Sequence, residues 1–260
     1  MKEFHKKKII VLKKTEQSVE EPTRDGLIRL NKYISNSGVC SRREADKIIS
    51  DGLITINGEV VTELGHKVSI DDDVCFDGKR LNPERKVYLL LNKPRGFVTT
   101  LDDPHAERTV MQLVQNACAE RIYPVGRLDM QTTGVLLFTN DGELAKKLTH
   151  PSYEKKKIYH VQLDQDFLPE DLEKISKGIE LEDGFIAADD ISLIAADDAR
   201  QVGIEIHSGK NRIVRRIFNH LGYNVEKLDR VMFAGLTKKD LPRGRYRFLT
   251  PQEINFLKMS

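Results

Sequence analysis

The acid whose setting could do chemistry is Asp129. It lies in Gly126-Arg127-Leu128-Asp129-Met130-Gln131-Thr132-Thr133-Gly134-Val135-Leu136-Leu137-Phe138-Thr139-Asn140-Asp141-Gly142, where a loop with one acid and one base opens onto an apolar strand ending in an Asp-Gly turn. A carboxylate so placed can serve as a nucleophile or take a proton. By itself Arg-Leu-Asp reads as a surface ion pair of little energetic weight. A hydrolase using Asp129 and Asp141 as an acid/base pair is the competing chemistry. It is disfavoured because roughly 9 strand residues at about 3.3 Å each could separate the two carboxylates. His5, His66, His105, His150, His160, His207 and His220 lack metal-ligand spacing. Cys40, Cys75 and Cys118 are odd in number, widely spaced and without a CxxC pair, so neither a zinc site nor a disulfide framework is expected. The reading is no metal, no cofactor and a reducing cytoplasm.

Positioning a loop of this kind takes a folded core, and 260 residues suffice for one sizeable core plus a small module. Charged residues are 32% of the chain, and no apolar run approaches the roughly 20 residues that span a bilayer. The stretch Ile9 to Leu12 is too short for a secretory segment, so no membrane association is expected. The formal charge of +2 announces no polyanionic partner, but its distribution is uneven. Bases gather in the N-terminal tail, at Arg42-Arg43, at Lys155-Lys156-Lys157 and from Lys210 to Arg216, which permits a basic face.

Residues 1–26 lack a sustained apolar period and read as a flexible basic tail, its Lys run equally consistent with phosphate contact and with simple solvation. Leu27, Leu30 and Ile34 then form a helical stripe stopped near Gly38. Ser41 caps a second helix carrying Ala45, Ile48 and Ile49, ending at Gly52. Leu53 to Ile56 and Val60-Val61 flank an Asn57-Gly58 turn of type I′, and a third strand covers Val74 to Phe76. The stretch LIRLNKYISNSGVCSRREADKIISDGLITINGEVV resembles the alpha-L RNA-binding module first described in a small-subunit ribosomal protein, over residues 27–84. That resemblance implies that Arg42, Arg43 and Lys47, with Lys32 beside them, meet RNA phosphates.

A second domain, residues 86–260, restarts with the run Val87 to Leu91 and turns at Lys93-Pro94-Arg95-Gly96. Val135–Phe138, Ile158–Leu163, Gly203–Ile206 and Arg245–Leu249 read as strands, and Glu143–Leu148, Pro169–Gly178 and Asn211–Leu221 as helices. Without a regular βαβ period this predicts an α+β fold with a mainly antiparallel sheet.

Four motifs in order resemble RNA pseudouridine synthases, in the ribosomal small-subunit and large-subunit branch that carries an N-terminal alpha-L module. They are LNKPRGF at 91–97, the Asp129 loop, His150-Pro151 through Lys157-Ile158-Tyr159-His160-Val161, and GKNRIVRRIF at 209–218. The last, followed by NHLGYNVEKLDRV, looks closest to the large-subunit group. The resemblance implies that Asp129 is the catalytic carboxylate, acting as nucleophile or as base at the ribose. It implies that Tyr159 stacks on the target base and helps remove a proton, that Arg215 pairs with Asp129, and that Val214 gives an apolar contact. Arg127 would fill the space left when the uridine flips out of its stack. Arg212, Arg215 and Arg216 as one phosphate-gripping helix face is the other reading of that motif. The partner so implied is ribosomal RNA, with monomer as the default state. The same chemistry on small-subunit rRNA, or a non-catalytic ribosome-binding protein, are the alternatives.

Overall fold

Ser41 shows how the sequence sets the first unit. Its hydroxyl accepts from the Glu44 amide while the Glu44 carboxylate accepts from the Ser41 amide, a reciprocal cap that satisfies two otherwise orphan donors. Such a cap contributes about 1 kcal/mol. The computed structural model describes residues 26–101 and 107–260, and the chain divides into two units between Pro83 and Glu84. The expected tail, residues 1–26, lies outside the described residues except for Gly26.

In the first unit, β1 (Ile28–Arg29) leads into α1 (Leu30–Asn36) and α2 (Arg42–Ser50). β2 (Ile54–Ile56), β3 (Glu59–Val60), β5 (Val74–Phe76) and β6 (Lys79–Arg80) form a four-stranded antiparallel sheet, while β4 (Lys67–Val68) pairs with β1. Asn57 and Gly58 both take positive φ, 52° and 89°, as a type I′ turn requires. Leu30, Ile34, Ala45, Ile49, Ile54, Val68 and Val74 bury together. That core holds the exposed Arg42, Arg43 and Lys47 on α2 facing water, and the half-buried Lys32 on α1.

The second unit is built on a nine-stranded sheet. Its elements are β7 (Tyr88–Lys93), β8 (Tyr123–Pro124), β9 (Thr133–Thr139), α3 (Gly142–Thr149), β10 (Lys157–Leu163), α4 (Pro169–Lys177) and the hairpin β11 (Ile179–Leu181) with β12 (Gly184–Ile186). There follow β13 (Asp190–Leu193), β14 (Gln201–Ile206), α5 (Ile213–His220), β15 (Val225–Phe233), β16 (Leu236–Thr237), β17 (Tyr246–Phe248) and α6 (Pro251–Met259). The sheet order is β13-β14-β10-β15-β9-β7-β17, with β16 on β15 and β8 on β9. Its pairs are antiparallel except where β15 meets β9, with Asp229 opposite Thr133 and Arg230 opposite Gly134. The fold is α+β with an antiparallel-dominated sheet.

Burial explains the strand patterns. β7 and β9 are covered on both faces, so they read as continuous apolar runs. Leu89, Leu91, Leu136 and Phe138 join a core with Ile213, Ile217 and Phe218 of α5, and Leu90, Val135 and Leu137 join another with Leu144, Leu148 and Leu257 of α3 and α6. β10 alternates instead, its buried Tyr159, Val161 and Leu163 facing the first of these cores. The Asp-Gly turn expected at Asp141-Gly142 is corrected: Asp141 is the N-cap of α3, its carboxylate accepting from the Leu144 amide at 3.3 Å and from the Tyr88 hydroxyl at 2.7 Å. Asp serves turns and caps alike, and the helix that follows decides between them.

Candidate active site

The Asp129 loop, residues 126–132, runs from β8 into β9 at the place where the sheet changes from antiparallel to parallel pairing. Two side chains pin its backbone. Thr99 donates through Oγ1 to the Leu128 carbonyl at 2.7 Å and accepts from the Leu128 amide at 3.3 Å. Lys93, fully buried at the end of β7, donates through Nζ to the carbonyls of Pro94 (3.1 Å), Asp129 (3.1 Å), Met130 (3.3 Å) and Thr132 (2.9 Å). Burial pushes its pKa down to about 8, while the charge of Asp129 opposes that shift. At neutral pH the site is an ammonium clasped by four carbonyls, three of them from the Asp129 loop itself.

The loop gives its acid to a cavity. Asp129 lines it together with Tyr159 from β10, Val214 from α5 and the exposed Arg127 at its mouth. Lys157, Lys210, Arg212 and Arg230 line it as well, so among the described residues one carboxylate and five cations line the cavity. Such a wall attracts a polyanion, and a ring can lie against the Tyr159 and Val214 side chains. Burial pushes the Lys157 pKa down to about 8, helped by nearby Arg230. Its ammonium donates to the carbonyls of Lys155 and His207 at 2.8 and 2.6 Å.

Arg215 is placed differently from the expectation. It does not line the cavity, and among the described residues no hydrogen bond or ion pair joins it to Asp129. Its Nη1 donates to the Val225 carbonyl at 2.7 Å. Burial lowers its pKa, the neighbouring Arg212 and Arg95 lower it further, and the charge of Asp129 raises it, so the two side chains interact through space. The basic face read from Arg212 to Arg216 is also divided: Arg216 forks onto Asp183 at 2.6 and 2.9 Å, holding that carboxyl down at about 2. Lys32, Arg42, Arg43 and Lys47 stand in the first unit.

Sequence reasoning missed Lys93, Thr99, Lys157 and Arg230 as parts of the site. Lys93 was read within a turn, although β7 continues through it. A buried polar residue leaves no periodic trace, so the detectable signal was only its place within LNKPRG.

The Lys157 shift has a measurable consequence for stability. Its folded-state pKa of about 8 lies below the ordinary 10.5, so between those values the unfolded chain binds more protons and stability rises with pH. Melting temperatures of the parent and Lys157→Met, compared at about pH 7 and about pH 10, should show the parent gaining relative to the variant. An unchanged difference would remove the buried ammonium from the account.

Comparison with known proteins identifies the family. The family model described as RNA pseudouridylate synthase matches residues 87–220, and the S4 domain model matches residues 28–74. A Bacillus subtilis (strain 168) protein, ribosomal large subunit pseudouridine synthase B, is 42% identical over 233 residues, covering 88% of this chain and 95% of its own. An Aquifex aeolicus (strain VF5) protein described as an uncharacterized RNA pseudouridine synthase is 38% identical, with 87% of this chain and 92% of its own covered. A crystal structure of a pseudouridylate synthase superposes with a TM-score of 0.63 at 31% identity, covering 88% of this chain and 99% of that one. With an S4 domain at residues 28–74 and a synthase domain whose cavity holds Asp129, this chain belongs to the RNA pseudouridine synthases, enzymes that isomerise uridine in RNA.

Proposed function

We propose that the protein converts a uridine of large-subunit ribosomal RNA to pseudouridine in the cytoplasm, with Asp129 as its catalytic carboxylate. The observation that carries this reading is that Asp129 is the one acid among the described residues lining a cationic cavity that also presents Tyr159. The large-subunit assignment follows the 42% identity to a protein named for that substrate.

The reaction breaks the bond between uracil N1 and ribose C1′, turns the base and joins C5 to C1′. The C5 proton is lost and N1 gains one, so no redox partner is needed. Asp129 acts on the ribose, either adding to C1′ or taking the C2′ proton, and both routes need it ionised. Five cations line the cavity beside that carboxylate. Tyr159 and Val214 receive the base, which leaves its stack at a cost of a few kcal/mol, least in a loop. Arg127 at the mouth stacks in the vacated space.

Purified protein incubated with protein-free large-subunit and small-subunit rRNA, followed by carbodiimide-based primer extension, tests this. The expected result is a new stop at one uridine of large-subunit rRNA. A stop confined to small-subunit rRNA would move the substrate, and none on either would remove the reading.

The S4 domain anchors the RNA in this proposal, through Arg42, Arg43 and Lys47 on α2 with Lys32 beside them. Replacing Arg42, Arg43 and Lys47 together by Gln should weaken rRNA binding and flatten its dependence on salt. The slope of log K against log salt should fall by about 2, since each lost phosphate contact removes roughly 0.7 to 0.9. An unchanged slope would transfer the anchoring to the cations around the cavity.

A further inference from the structure

Arg230 lies in β15 with 3% of its surface exposed, and it lines the same cavity as Asp129. Its Nε donates to the Val135 carbonyl at 2.8 Å, and its guanidinium stacks 4.7 Å over the Phe233 ring. In the register of β10 and β15 it stands directly opposite Tyr159, whose hydroxyl is the group that supports its charge. Its Nη2 is buried without a hydrogen-bond partner.

For a strand residue this is an expensive arrangement. A buried cation without a carboxylate costs several kcal/mol in lost hydration, and an orphaned donor adds to it. Burial pushes the Arg230 pKa down, yet a guanidinium starts so high that it keeps its proton. An aliphatic side chain would fill the space more cheaply. What the arginine adds is a fixed positive charge opposite Tyr159 and one spare donor. Both become more favourable if the Tyr159 oxygen carries negative charge, since donors aimed where charge develops stabilise the charged state without reorganising.

We propose that Arg230 is a positioning residue of the reaction, holding the Tyr159 oxygen in the cavity so that this oxygen removes the C5 proton once the base has been rejoined through carbon. This rests on the reading of Asp129 and Tyr159 given above. After C5 has bonded to C1′, C5 still carries its hydrogen and the ring has a C6=N1 double bond. The Tyr159 oxygen takes the C5 proton as its own hydroxyl proton passes to N1, the C5–H electron pair forms C5=C6, and the C6=N1 pair moves onto N1. The hydroxyl is thereby restored.

The test uses the full chain with Arg230→Gln, Arg230→Lys, Tyr159→Phe and the double variant Arg230→Gln/Tyr159→Phe. Single-turnover rates are measured on rRNA carrying hydrogen or deuterium at C5 of uridine, alongside RNA affinity. Arg230→Gln should slow turnover about 10²-fold, the low end for loss of a general base, with RNA affinity falling far less than turnover. It should cost nothing further in the Tyr159→Phe background. It should also raise the C5 isotope effect above that of the parent, because proton removal then limits the rate, and Arg230→Lys should lower that effect again. Losses that multiply in the double variant, or slowed turnover without a rise in the isotope effect, would make Arg230 a merely structural residue. Should Arg230→Gln not fold, Arg230→Lys alone decides by the same comparison, its isotope effect lying above the parent's if the proposal holds and equal to it if not. Failure of the underlying reading looks different: there Asp129→Asn would keep its turnover, whereas failure of this inference leaves an enzyme that still needs Asp129.

Discussion

Asp129→Asn should fold and bind RNA as the parent does while turnover falls by about 10³-fold or more, the scale on which removing a catalytic carboxylate acts. The backbone of residue 129 is held through its carbonyl, by Lys93 at 3.1 Å and by the Thr132 amide at 3.0 Å, so the substitution leaves those contacts in place. The amide nearly matches the carboxylate in shape. It can neither add to a sugar carbon nor take a proton, and it gives up the charge that Arg215 senses. Tritium released from rRNA labelled at uridine C5 measures the loss, and thermal melting checks the fold. Appreciable turnover by a purified, folded variant would remove Asp129 from the chemistry.

Gly134→Ala should act on the fold instead, and severely. Gly134 is the second residue of β9, beside the Asp129 loop, with φ of 107°, a conformation that side chains rarely adopt. It lies opposite Arg230 in the parallel pairing of β9 with β15. An added Cβ would stand 2.1 Å from the Arg230 carbonyl oxygen, 2.7 Å from its amide nitrogen and 2.6 Å from Asp229 Oδ1. Two of these neighbours are backbone of a central strand, so relief means parting the strands. A cost of about 4 kcal/mol or more is expected, a large part of the 5 to 15 that hold an ordinary domain together. Soluble yield and melting temperature read it, and a variant melting within a degree or two of the parent would refute the close approach.

The sequence was most informative where one local rule decides the structure. Asn57-Gly58 demands positive φ at two successive residues, and Ser41 with Glu44 closes a reciprocal cap, so both are visible in a few letters. β9 was visible because burial on both faces leaves an unbroken apolar run. β15 was not expected at all, although it is the nine-residue strand that joins the sheet's two halves. Glu226, Lys227, Asp229 and Arg230 interrupt any alternation there, and the charge buried among them answers to the cavity rather than to strand propensity. In the site, resemblance led to Asp129, Tyr159, Val214 and Arg127, which the fold gathers at one cavity. It also led to Arg215, whose guanidinium is engaged by the Val225 carbonyl, because contact across a helix face depends on packing angles that no motif records. Lys93 and Arg230 were out of reach for a common reason: their partners are backbone carbonyls and a hydroxyl brought near only by sheet formation.

The clasp around Lys93 bears on how the enzyme withstands its own substrate. Large RNAs pull on whatever they dock against, and a loop held only to itself would yield to that force. Here the loop's carbonyls are gathered on an ammonium covalently tethered to β7, which pairs along six residues with β9, the strand the loop feeds. Load applied at the loop therefore passes into the sheet at both of its ends, and the carboxylate keeps its place relative to Tyr159 as long as the sheet itself stays whole.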